Sequence, residues 1–181
     1  MRCLTYQQCV SWCRDHGYPA TEVGKFGRPA PAVRDQFHHL PLIYPKDSGA
    51  KVELAKSIID GMSTSSELLL WVDDWAVWYY SHHMPLFTRF REAFGERRPL
   101  IEAPGHLVAR EHFDDAVSVL ATSLLFLWDC HVFADSDRRV YFCSHDEWNG
   151  LFTPDSSQTL DAFESLKPWA PNSEPSEKRE S

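Results

Sequence analysis

The chain has 181 residues, of which 43% are hydrophobic and 13% aromatic, and its formal net charge is −8 at neutral pH. That length fits one well-buried core and leaves little room for two, and the composition is that of a folded chain. With no cluster of Lys and Arg to displace counterions, nucleic-acid binding is not expected, and a partner with a basic surface is favoured instead.

The N-terminal stretch "MRCLTYQQCVSW" has no uninterrupted apolar core, so no signal peptide is expected. Thr5 and Gln8 have capping-box spacing, and Cys9, Trp12 and Cys13 follow at helical intervals. Gly17 can close this short helix and Pro19 prevents its resumption. The five cysteines, an odd number without a C-x-x-C pair, point to a reducing compartment and buried thiols rather than a disulfide scaffold or a zinc site.

Residues 18–37 have no period and read as a connection, followed by "HHLPLIYP" as a short extended piece. Asp47 or Ser48 then caps a second helix, with Val52, Ala55, Ile59 and Met62 as its apolar stripe. "ELLLWVDDWAVWYY", residues 67–80, opens as a near-continuous apolar run, which suits a strand covered on both faces. Asp73 and Asp74 interrupt it, so the second half reaches the rim of the sheet or contains a bulge. Ser81 caps the next helix, with Pro85 in its first turn and Leu86, Phe87, Phe90 and Phe94 as the buried stripe. "RPLIEAPGHLVA" reads as one or two extended pieces bent at Pro104-Gly105.

A helix of roughly residues 111–127 carries acids at its N-terminal end. The longest apolar run, "VLATSLLFLW", falls there and is about half the length a membrane span needs. "DCHVFADSDRRVYFCS" reads as a hairpin whose turn, centred between Ser136 and Asp137, sets Cys130 against Cys143. A final helix is expected through "SSQTLDAFESL". From Lys167 the chain is Pro, Ser and charge, and cannot offset the entropy of ordering. An α+β single domain over residues 1–166, with a small mixed sheet packed on several helices and a disordered tail over 167–181, follows.

Four groups could carry chemistry. "SHDE" at 144–147 has the S-x-x-E spacing of a capping box, so helix initiation explains every residue but His145; the competing readings are a metal site, a proton relay or a nucleophile with its base. Asp73 and Asp74 are neighbours on a strand and point to opposite faces, and His82-His83 would need metal ligands from elsewhere. Alternation puts Trp71 and Trp75 on one strand face and Trp78 on the other; they are core aromatics or, beside the aspartates, a partner-binding patch. Glu102 and His106 are a conceivable acid/base pair across a turn, although a backbone requirement explains "PGH" as well. The common enzyme fingerprints are absent.

The sequence therefore favours a cytoplasmic, non-catalytic protein-interaction domain, such as an inhibitor or immunity-type protein. Its candidate partner-binding residues are Asp73, Asp74, Trp75, Trp78, Glu102 and His106, and no metal, cofactor or membrane is expected. The alternative is a small hydrolase or metal-dependent enzyme using Asp73, His82, Glu102, His106 and His145.

Overall fold

A computed structural model describes residues 1–21, 30–33, 36–75 and 84–171. Among these residues, seven strands form one sheet in the order β1-β6-β5-β7-β8-β9-β4. They are β1 (Arg2–Leu4), β4 (His38–Leu42), β5 (Glu67–Asp74), β6 (Gly105–Ala109), β7 (Asp129–Ala134), β8 (Val140–Cys143) and β9 (Asn149–Thr153). Two short strands, β2 (Ala20–Thr21) and β3 (Ala30–Pro31), pair separately. Among the described residues every pairing is antiparallel, so the α+β class and the hairpin are as expected while the expected mixed sheet shows no parallel pair there.

Helix α1 (Tyr6–Asp15) starts with the expected reciprocal cap. The Gln8 amide N–H donates to Thr5 Oγ1 at 3.3 Å, and the Thr5 N–H donates to Gln8 Oε1 at 2.9 Å. Gly17 follows in the left-handed region at φ 73°, where a side chain would be strained. On α2 (Ser48–Gly61) the cap is Asp47, whose carboxylate accepts from the Ala50 N–H. Its buried face is Leu54, Ala55, Ile58 and Ile59, with the stem of Lys51, whose Nζ sits 5.2 Å from the Tyr44 ring centre. Val52, expected on the stripe, is 40% exposed because it lies at the edge of that face.

Helix α3 (Met84–Glu92) buries Phe87 and Arg91. Leu86, expected in its stripe, is 70% exposed, since its neighbour Phe87 holds the inward position. Gly95 then ends the turn at φ 80°. The apolar helix α4 (Phe113–Leu125) packs against α2 on the sheet.

Two clusters sandwich the sheet, as the apolar run of β5 implies. The larger joins Leu68, Leu70, Val72, Val108, Cys130, Val132, Tyr141 and Leu151 to residues of α2, α3 and α4. The smaller joins Leu69, Trp71, Leu107, Phe133, Phe142 and Phe152 to α1, Tyr18, Val33 and Phe37. Among the described residues, no helix is long and apolar enough to cross a membrane.

The C-terminal region departs from expectation. Instead of an α-helix there are 3-10 turns at Leu160–Ala162 and Glu164–Trp169. The segment expected as tail therefore begins ordered. Trp169 packs on the larger cluster, and its carbonyl accepts from the Ile43 N–H at 2.8 Å, which ties it to the end of β4. Burial of this one aromatic is what composition alone could not weigh. Residues 172–181 lie outside the described residues.

Candidate functional site

Where β5 stops and β8 turns into β9, three elements bring two carboxylates and an imidazole together. In β5, Trp71 pairs with His131 and Val72 with Cys130, after which the register shifts so that Asp74 stands opposite Asp129. The extra residue is a β-bulge, and it reverses the alternation. Trp71 accordingly belongs to the cluster under α1, whereas Trp75 packs against the larger cluster on the other face. The expectation that Trp71 and Trp75 share a face is thus overturned. Simple alternation holds only in an unbroken ladder.

The "SHDE" stretch also departs from expectation. It starts no helix but forms the turn of the β8–β9 hairpin. The Ser144 N–H donates to the Trp148 carbonyl at 2.9 Å, the Glu147 N–H to the Ser144 carbonyl at 3.2 Å, and the Asp146 N–H to Ser144 Oγ at 3.3 Å. Glu147 sits at φ 58°, a left-handed geometry that lets the chain reverse. A hydroxyl can bond a nearby amide in a turn as readily as at a helix start, so the spacing alone could not separate the two. What decides is β9, buried along its whole length, whose backbone pairs with both β8 and β4.

That turn aims His145 at Asp129. One carboxylate oxygen, Asp129 Oδ1, accepts from both the backbone N–H and the ring Nδ1 of His145, each at 2.7 Å. The other ring nitrogen, Nε2, faces Asp146 Oδ1 at 3.5 Å. Asp129 is 8% exposed, and the two His145 donors satisfy its buried oxygen. Ligand atoms of Asp74, Asp129 and His145 all lie within 4.8 Å of one another. Glu147 turns away and pairs with Lys46 at 2.9 Å.

The remaining candidates are scattered. Asp73, Asp74 and Trp75 are half-buried in a row, and Trp78, His82 and His83 lie outside the described residues. Glu102 is exposed on the turn before β6, while His106 is fully buried with its ring 5.5 Å from that of Phe87. The two therefore make no acid/base pair, and His106 cannot touch a partner. β6 pairs on both edges and faces a packed layer, which seals its second residue away from solvent. Burial, and then the nearby Arg91 charge, push the His106 pKa down to about 3.

Asp129 is the residue that sequence reasoning missed. The signal was present, because the register that sets Cys130 against Cys143 also sets Asp129 against Ser144, beside His145. Comparison with protein-family models, curated proteins and solved structures yields no match.

Proposed function

We propose that this chain is a protein-interaction domain, of the inhibitor or immunity type, that binds a basic partner through the rim where β5 leaves the sheet. The observation that carries this reading is the row Asp73, Asp74 and Trp75. All three are half-buried, with the exposed Asp146 in the turn that packs on Asp129. A partly covered Trp beside carboxylates suits a desolvated anchor with an electrostatic surround. The net charge of −8 works in the same direction. Five buried thiols fit a reducing, cytoplasmic setting for such a domain.

The test compares the immobilised chain with its Asp73→Asn/Trp75→Ala variant for capture of basic proteins from the native cell. The expected result is a basic protein held at low salt, released at higher salt, and lost from the variant while it stays folded, with a melting temperature lowered by the loss of Trp75 packing on the larger cluster. Equal capture by both proteins, or no capture at all, refutes the reading.

A small hydrolase is the second reading. In its favour stands the Asp129–His145 pair, a base whose ring is oriented by a carboxylate. Against it, His106, a member of the constellation expected for catalysis, is sealed in the core. Turnover of simple ester or phosphoester substrates, lost in His145→Ala, would reverse the order of the two readings.

A further inference from the structure

We propose that Asp74, Asp129 and His145 form a binding site for one divalent transition-metal ion. Asp74 and Asp129 are directly opposed across β5 and β7, and like charges in that position destabilise a ladder. A bulge places Asp74 there, so the sequence spends an irregularity to bring two carboxylates face to face. Ligand atoms of both carboxylates and of His145 lie within 4.8 Å of one another there, close enough to face one cation.

The third donor is preorganised independently. The backbone N–H of His145 holds Asp129 Oδ1 at 2.7 Å, and the left-handed Glu147 closes the turn that presents the imidazole. In the free site the Nδ1 proton occupies the space beside Asp129 Oδ1. Ligation through Nδ1 moves the ring proton to Nε2, toward Asp146 Oδ1 at 3.5 Å. That is the outer-shell carboxylate arrangement by which ligating histidines are usually fixed. Two carboxylate oxygens and one imidazole nitrogen suit Zn2+ or a neighbouring first-row ion better than the all-oxygen preference of Mg2+ or Ca2+, and they leave positions for water. This inference needs neither reading of function, because it rests on the geometry of Asp74, Asp129 and His145 alone, and Zn2+ binding is read without a partner or a substrate.

The test uses the full chain freed of metal by chelator, titrated with Zn2+ by calorimetry and melted with and without it. We expect one Zn2+ per chain and a melting temperature that rises with Zn2+. Asp74→Asn should stay folded without metal. It should also bind Zn2+ about tenfold or more weakly and lose the metal-dependent rise. Bound Co2+ should show ligand-field bands without thiolate charge transfer, which excludes the cysteines. His38→Ala/His39→Ala, which alters exposed imidazoles elsewhere, should bind as the wild type does. Absence of saturable binding, full Zn2+ response in Asp74→Asn, or loss of binding in the His38/His39 variant would each overturn the proposal. Asp129→Asn is the stricter variant, but the test does not depend on its folding because Asp74 is only partly buried.

Discussion

Arg91 and His106 are neighbours in the core, 3% and 0% exposed, with the Arg91 guanidinium anchored on the Ala103 carbonyl at 2.7 Å. A permanent cation beside a sealed imidazole leaves the ring no route to protonation without cost. The backbone of Leu70 and Pro104 approaches the ring but does not reach hydrogen-bonding geometry.

Stability should therefore fall with acid through this one group. Burial and Arg91 lower the folded pKa of His106 to about 3, while the unfolded chain titrates near its usual value of about 6.5. Between these values the unfolded state binds the extra proton. The contribution is complete above about pH 6.5 and is lost as pH falls toward 3, at no more than about 1.4 kcal/mol per pH unit. Urea midpoints across this range check it, and His106→Leu should flatten the slope. An unchanged slope would assign the acid sensitivity to other groups.

Gly105 and Cys9 form a close helix-to-sheet contact. A Cβ at Gly105 would stand 2.3 Å from Cys9 Sγ and 3.1 Å from Leu4 Cβ. Gly105→Ala should cost about 1–3 kcal/mol through overpacking. Cys9→Ala alone leaves a void, and the double variant should recover much of both losses. Additive effects in the double-mutant cycle would show that the backbone, not Cys9, resists the methyl group.

All five cysteines are buried thiols, and Cys130 and Cys143 face each other across β7 and β8. Burial pushes the Cys130 pKa up to about 12 and that of Cys143 well above the usual thiol value. Native protein should react very slowly with a thiol reagent at mild alkaline pH, and denatured protein should release all five equivalents. Fast labelling of one site would mark a region that opens locally.

Truncation should locate the true edge of the fold. Trp169 covers part of the larger cluster and bonds Ile43, and Leu166 is 2% exposed. Removing residues from 172 onward should leave thermal stability unchanged. Removing residues from Lys167 onward should cost about 1–3 kcal/mol, the range for burying a large apolar side chain. Equal stability of the two truncations would mean that Trp169 contributes nothing.

Read along the chain, local chemistry determined a good deal. The Thr5–Gln8 box, the Asp47 cap, the run "ELLLWV" and the turn at Ser136-Asp137 each state their outcome within a few residues. Capping, doubled-sided burial and hairpin register are short-range or periodic effects, so the α+β class and the Cys130–Cys143 register were legible. Other features needed the assembled sheet. Ser144 and Glu147 satisfy a helix start and a hairpin turn equally well, and only the pairing of β9 with β8 and β4 chooses between them. The bulge after Val72 sends Trp71 and Trp75 to opposite faces and sets Asp74 against Asp129, a relation between residues 55 positions apart that no periodicity contains. His106 reads as a loop histidine until two neighbouring strands and Phe87 enclose it. Local interactions are written in neighbouring residues. Which polar groups meet, and which are sealed from water, depends on elements far apart in the chain, and that only the tertiary structure decided.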